Sequence, residues 1–167
     1  MTTVSTLPDA KRKWYGLALR HLRMASRLMD SGFADGAVFH AYHAYECVLS
    51  AFIAAKGYPV PPDGKAQTVS PKGTKVFGYP SPQGNFLQYG THKVRQIFFM
   101  ELADKNKPYH SQHLVLSRFI TLNDRMDSLY YDTTRDQLPS QVYNRNFAVG
   151  IIPQIHVFAR EVWKEVR

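Results

Sequence analysis

The stretch that most restricts how this chain can fold is ADGAVFHAYHAYECVLSAFIAAKG, residues 34–57. At about 100° per residue, its large apolar side chains form one stripe along a helix, and alanines form a second stripe beside it. The far side still carries Phe39 and Ile53. A helix that is apolar nearly all round has to be surrounded by other elements. The segment therefore predicts the central helix of a bundle.

A first helix is predicted before it in LPDAKRKWYGLALRHLRMASRLMDSG, residues 7–32, with Asp9 as N-cap and Gly32 as the C-terminal stop. The apolar face of this helix contains Trp14, Leu17, Ala18, Leu22, Ala25, Leu28 and Met29. Nearly opposite lies a row of cations, which consists of Lys13, Arg20, Arg23 and Arg27. The pattern is that of an amphipathic helix whose outer face is positively charged.

Three more helical segments follow in 91–107, 110–131 and 139–167. Their expected core sides are Val94, Ile97, Phe98 and Leu102 in the third helix, Val115, Phe119, Leu122, Met126 and Leu129 in the fourth, and Phe147, Ile151, Ile155, Phe158 and Val162 in the fifth. Pro153 should kink the last segment or divide it into two helices.

Residues 58–91 differ in composition from the rest, since proline, glycine and small polar residues dominate them. So many prolines exclude a helix, and the pairs TKVFGY and NFLQYG suggest at most a short hairpin. The predicted fold is a single all-α domain over residues 1–167, an antiparallel up-and-down bundle of about five helices. The Pro/Gly-rich insertion 58–91 lies between helices 2 and 3. A loop of this length is typically functional, a partner-binding arm or partly disordered.

Charge and cysteine content indicate the kind of partner and the compartment. The chain has 21 Lys+Arg against 13 Asp+Glu, and its net charge of +8 favours polyanionic partners such as nucleic acid. The one cysteine, Cys47, excludes an internal disulfide and favours a reducing compartment. Residues 1–13 lack the apolar core of a secretory signal, and no run of about 20 apolar residues is present. We expect a cytoplasmic protein without a membrane partner.

One acid and one arginine attract attention. Glu46 lies in the middle of the apolar segment, where a carboxylate needs a cationic or hydrogen-bonding partner. Arg125 is the candidate, on a stripe of the fourth helix that also carries Arg118. Tyr130, Tyr131 and Asp132 lie at the end of that helix. Two interpretations stay open: a phosphate-binding site, or a structural ion pair with tyrosines that pack helix four against helix five.

Other chemistry has little support in the sequence. His40, His43 and Glu46 are three residues apart, a spacing that drifts round a helix, so no metal site is predicted. His21 lies on the apolar face of helix one and is expected to be a hydrogen-bonded core residue. Glycine-rich phosphate loops and the G-x-S-x-G nucleophile motif are missing, and no cofactor is expected.

The segment ASRLMDSGFADGAVFHAYHAYECVLSAFIAAKG resembles the HEPN superfamily (higher eukaryotes and prokaryotes nucleotide-binding domain). The resemblance rests on Gly32, Phe33, Ala37, Ala41, Ala44, Glu46 and Gly57. THKVRQIFF looks like the start of the family's third helix, and LNDRMDSLYYD looks like the arginine-containing end of its fourth.

The resemblance implies an antiparallel bundle, often a homodimer, associated with RNA or nucleotides. Many members are metal-independent ribonucleases with an R-x4-6-H motif. Arg125 matches the arginine, whereas Tyr130, Tyr131 and Asp132 occupy the positions of the histidine. Glu46, Arg125 and Tyr130 would then be the variant of the family's catalytic site. Ligand binding would involve Arg118, Arg125, Tyr130, Tyr131 and Asp132, and nucleic-acid binding would involve Lys13, Arg20, Arg23 and Arg27.

Three functions follow as hypotheses. The leading one is an RNA- or nucleotide-binding protein, and the family suggests a toxin–antitoxin or defence system with an antitoxin or nucleotidyltransferase-type partner. The second is a non-catalytic interaction module that docks through loop 58–91. The third is a metal-independent endoribonuclease with a tyrosine-modified site.

Overall fold

The computed structural model describes residues 7–61, 67–69, 75–88, 91–119 and 138–167. Within these ranges the chain forms six helices, which are α1 Leu7–Asp30, α2 Ala34–Ala55, α3 Thr91–Leu102, α4 Pro108–Phe119, α5 Pro139–Val142 and α6 Arg145–Val166. The four short strands are β1 Gln67–Val69, β2 Lys75–Phe77, β3 Tyr79–Pro80 and β4 Phe86–Leu87. The predicted all-α bundle is confirmed. Among the described helices, none has the length and hydropathy needed to cross a membrane.

Helix α2 is the centre of the bundle, as its sequence predicts. Fifteen of its 22 residues are buried. It packs against α1, α3 and α6. Its burial on several sides explains why apolar residues occur nearly all round it.

Two glycines end the first two helices in the same way. Gly32 and Gly57 have φ of 85° and 84°, the left-handed conformation that glycine adopts without steric cost. After α1, the amides of Gly32 and Phe33 donate to the carbonyls of Met29 and Leu28. This Schellman motif satisfies carbonyls that the helix leaves unpaired, and it turns the chain directly into α2. The predicted stop at Gly32 is confirmed.

The apolar face of α1 is close to the predicted one, with one correction. Ala18, Leu22 and Ala25 are fully or almost fully buried, whereas Leu17 is 38% exposed at the edge of the face.

The prediction of Asp9 as N-cap was wrong. The helix already begins at Leu7, and Asp9 lies in its first turn with its carboxylate 2.6 Å from the Lys13 ammonium.

The insertion brings α3 back alongside the middle of α2. His92, near the start of α3, contacts Glu46, and the Phe99 ring farther along lies 4.7 Å from the Phe52 ring. Helix α3 therefore runs in the same direction as α2, so the predicted antiparallel alternation is not kept between these two helices, because the insertion carries the chain back before α3 begins. The chain then reverses into α4, whose Tyr109 contacts Phe52 and whose His113 contacts Tyr45.

Helix α4 buries a different face from the one predicted. Val115 was expected in the core but is 44% exposed, whereas Tyr109, His113 and Leu116 are buried. The predicted core face of this helix consisted of aliphatic and aromatic residues and did not include His113. The Tyr45 hydroxyl lies 2.9 Å from the Nδ1 atom of His113, and this hydrogen bond allows the imidazole to be buried. The continuation of this helix to residue 131 lies outside the described residues.

The last segment is divided, but not at Pro153. Helix α5 ends at Val142, and α6 begins after Asn144, whose side-chain oxygen accepts a hydrogen bond of 3.1 Å from the Phe147 amide. Pro153 lies inside the continuous helix α6. The predicted core side is confirmed for Ile151, Ile155, Phe158 and Val162, and Phe147 is partly buried.

Two antiparallel ribbons form the described part of the insertion, β1 with β2 and β3 with β4. Tyr79 and Leu87 of the second ribbon pack with Ile53, Val94 and Phe98 in a small apolar cluster. At Gly78 a Cβ atom would lie 2.5 Å from the Leu87 carbonyl oxygen, so the close approach of these strands requires glycine. The apolar cluster fixes this ribbon to α2 and α3.

Candidate functional site

A buried carboxylate lies where α2 meets α3. The side chain of Glu46 is 4% exposed. One of its oxygens, Oε1, is hydrogen-bonded to Nδ1 of His92, and the other, Oε2, lies 3.6 Å from Nδ1 of His43. Glu46 was expected to meet a cationic or hydrogen-bonding partner, and two imidazoles occupy that role.

Two further histidines extend this arrangement towards α1. Nδ1 of His21 lies 2.9 Å from Nδ1 of His40, and the His21 ring stacks on His43 with 5.3 Å between centroids. Phe39 packs edge-on against His43 at 4.5 Å. We call Glu46 together with His21, His40, His43 and His92 the histidine cluster. His21 is hydrogen-bonded as predicted, although it is partly exposed.

Two imidazoles of the cluster, those of His21 and His40, are neutral near pH 7. Burial, and then the neighbouring His43, His40 and Arg20, lower the pKa of His21 from 6.5 to about 4. Burial also lowers the pKa of His40. A neutral imidazole has one nitrogen that donates and one that accepts, so these rings can hydrogen-bond to each other and to a ligand. His92 and His43, which contact Glu46, have side chains that are 20% and 25% exposed.

The cationic face of α1 reaches the cluster at Arg20, which is close enough to His21 to lower the pKa of its imidazole. Arg20 immediately precedes His21, and Arg20, Arg23 and Arg27 are exposed along one side of the helix, as predicted. Lys13 is exposed too, although its ammonium is paired with Asp9. Exposed guanidiniums at this spacing can contact successive phosphates of a polyanion.

The predicted residues near the end of the fourth helix cannot be placed. Arg125, Tyr130, Tyr131 and Asp132 lie outside the described residues, and their pairing with Glu46 stays a prediction. Arg118 lies in the last turn of α4 and is exposed.

His92 was not predicted as a partner of Glu46. A signal was available: His43 lies three residues before Glu46, and His92 is the second residue of THKVRQIFF, so both were candidates for the partner of the buried acid. The distance along the chain to His92, across the insertion, concealed the contact.

Comparison with known proteins supports one family. Residues 12–65 match the family model of the HEPN domain. The predicted HEPN resemblance is confirmed. The matched residues contain the cationic face of α1 together with every member of the histidine cluster except His92. The match supports a nucleotide- or RNA-related role at the level of the family. Comparisons with curated proteins and with solved structures gave no match. In the described part of the chain, no group of three ligating side chains could hold a metal ion.

Proposed function

We propose that this HEPN-like protein binds RNA or a nucleotide on the side of the bundle where the cationic face of α1 meets the histidine cluster. The observation that carries the proposal is that the matched residues 12–65 include the cationic face and every member of the histidine cluster except His92. Arg20 connects them, because it belongs to the cation row and also acts on the pKa of His21.

The chemistry of the two features is complementary. Arg20, Arg23 and Arg27 supply planar guanidiniums that hydrogen-bond to phosphate oxygens. The partly exposed His43 and His92 supply donors and acceptors that are suited to a ribose hydroxyl or a base edge. Binding through phosphates releases counterions, so affinity should fall steeply as salt concentration rises.

The test is binding of a short fluorescent single-stranded RNA at about 50 mM and about 200 mM salt. The triple variant Arg20→Ala, Arg23→Ala, Arg27→Ala should weaken binding at least about tenfold and lower the salt slope, by about 0.7 for each phosphate that is no longer neutralised. The matched control removes three exposed cations elsewhere, with Lys105→Ala, Lys107→Ala and Arg160→Ala. Equal losses in the two variants, or no RNA binding by the wild type at low salt, would refute the proposal.

The burial of part of the insertion limits which residues of loop 58–91 could dock a partner. Tyr79 and Leu87 are buried against α2 and α3, so a partner would have to contact other residues of the insertion. A homodimer, an antitoxin or nucleotidyltransferase-type partner, and a role in defence stay proposals that the family suggests.

A further inference from the structure

We infer that the imidazoles of His21 and His40 together take up one proton when RNA binds to the cationic face of α1, so that RNA binds more tightly as pH falls. RNA is the ligand of the proposed function, on which this inference rests. The proton adds regulation to that surface, and its place and sign follow from the groups that surround the two rings.

The contact between the two rings can hold one added proton. Nδ1 of His21 lies 2.9 Å from Nδ1 of His40, so one Nδ1–H donates and the other Nδ1 accepts. A proton from solvent can bind to Nε2 of the donating ring, and the hydrogen bond is then kept as a charge-assisted one. A second proton would have to occupy the accepting Nδ1 and would break the contact. The pair therefore has a capacity of one proton.

Burial and positive charge oppose that proton in the free protein. The His21 ring stacks on His43 with 5.3 Å between centroids, and Arg20 precedes His21 in the chain. Burial, and then His43, His40 and Arg20, lower the pKa of His21 from 6.5 to about 4, and burial lowers the pKa of His40. Arg20 is the permanently charged member of this set, because a guanidinium keeps its proton throughout this pH range.

The carboxylate of the histidine cluster is directed at other rings. Oε1 of Glu46 is hydrogen-bonded to His92, and Oε2 lies 3.6 Å from Nδ1 of His43. Within the described residues, the groups that act on the pKa of His21 are cationic or become cationic on protonation. The negative charge that would favour a proton on the pair therefore has to come from a ligand.

A bound phosphate supplies that charge. A phosphate held by Arg20 neutralises the guanidinium and places negative charge near His21, which favours the imidazolium. The complex then binds a proton at higher pH than the free protein does, and by linkage the affinity for RNA rises as pH falls. Since the pKa of His21 is about 4 in the free protein and that of an unperturbed imidazole is about 6.5, the gain develops as pH falls from about 6.5 towards 4.

The first test is the Kd for a labelled oligouridylate at about pH 7 and about pH 5, at one salt concentration. Uracil and internal phosphodiesters take up no proton in this range, so the strand carries no terminal phosphate and a label that does not respond to pH. Between the two pH values, the wild-type Kd should fall by a factor about three to ten times larger than the Kd of the double variant His21→Gln, His40→Gln. Glutamine keeps a hydrogen bond between α1 and α2 but does not titrate.

The control and a second measurement locate the proton. His156→Gln, at an exposed position of α6, should keep the wild-type response. Calorimetric titration of the wild type with the same RNA, at about pH 5.5 in two buffers of different protonation enthalpy, counts the protons taken up for each RNA bound. The number should lie above zero and fall in the double variant, and circular dichroism at each pH checks that the proteins are folded.

The outcomes separate the two proposals. If the wild type binds RNA without taking up a proton, the inference is wrong and the binding proposal stands, and this measurement depends on no variant. An equal pH response in the wild type and the folded double variant also overturns the inference. If the wild type binds no RNA at either pH, both proposals fail.

Discussion

At the scale of single residues, Glu46 shows that this core can contain a carboxylate when both of its oxygens face imidazoles. Its two oxygens face His92 and His43, so neither is left without a partner in the interior. Burial of a charge without such partners costs several kcal/mol. The histidine cluster is thus part of the core as well as a candidate site.

Removal of the carboxylate should therefore destabilise the fold. Glu46→Ala leaves a cavity and two imidazoles without their acceptor, and we expect the free energy of unfolding to fall by about 2–4 kcal/mol. Glu46→Gln keeps the volume and one acceptor and should cost less. Urea unfolding measures both, with Glu165→Ala as control. Glu165 pairs with Lys56 near the surface, and its loss should cost less than about 1 kcal/mol. Equal costs at Glu46 and Glu165 would contradict this account of the core.

A second residue couples stability to pH. Burial, and then His110 and Lys93, lower the pKa of His113 from 6.5 to about 4. The unfolded chain therefore binds a proton at higher pH than the folded chain. Stability from this residue is complete above about pH 6.5 and is lost as pH falls towards 4, up to a total on the order of 3 kcal/mol.

The check is urea unfolding at about pH 7 and about pH 4.5. His113→Gln removes the titrating group but can still hydrogen-bond to Tyr45, so its loss of stability between the two values should be smaller than that of the wild type. His156→Gln, at an exposed position, should leave the wild-type difference intact. A His113→Gln protein as acid-sensitive as the wild type would show that other groups cause the loss.

At the scale of elements, the same substitution should have opposite effects at two glycines. Gly57 follows α2 with φ of 84°, whereas Gly16 lies inside α1, and a Cβ would meet nothing within 4 Å at either position. Backbone conformation alone then decides the result. Gly57→Ala should lower the free energy of unfolding by about 1 kcal/mol, and Gly16→Ala should raise it by about 0.5–1 kcal/mol. Thermal unfolding of both variants gives the two signs, and a shared sign would mean that one helix boundary is wrongly placed.

The helices also show which features of the fold can be predicted from a single sequence. The pattern of α2 was decisive, because an apolar stripe beside an alanine stripe fits few other environments. The burial of Val115 and a division of the helix at Pro153 were misjudged for a common reason: aliphatic character and proline were weighed locally. A hydrogen bond to Tyr45 buried His113 on another face of α4, and α6 continued through Pro153 with core residues on both sides of it.

At the scale of the whole molecule, Phe158 joins four helices. Its ring lies 5.7 Å from Tyr45 of α2, 5.6 Å from Phe99 of α3 and 6.4 Å from His113 of α4. Leu87 instead belongs to the small cluster that fixes the insertion. Substitutions at Phe158 and at Leu87 therefore test the stability of different parts of the fold.

Truncation of Phe158 should destabilise the whole bundle, whereas truncation of Leu87 should destabilise only the insertion. Phe158→Ala should lower global stability by about 3–5 kcal/mol, because the ring packs against three other helices of the bundle. Leu87→Ala should increase amide exchange in residues 75–88 while α1 and α6 keep their protection. Hydrogen exchange with peptide resolution measures both. Uniform loss of protection in Leu87→Ala would mean that the insertion and the bundle unfold as one unit.

The candidate site was less predictable than the fold for a physical reason. Helices follow from local periodicity, but the contact between Glu46 and His92 spans 46 residues and depends on the path of the insertion. The cation row of α1 was found because it lies within one helix. Arg125 and its neighbours could be proposed only by resemblance, and they lie outside the described residues.

The direction of α3 has a consequence for how such a protein could change over time. Because α3 also contributes Phe99, which packs against Phe52 and Phe158, a shift of the helix along α2 would disrupt the core as well as the contact between Glu46 and His92. The imidazole opposite the carboxylate therefore shares one register with the aromatic packing. Substitution of His92 itself, rather than a change in the length of the insertion, is the route by which this position could change.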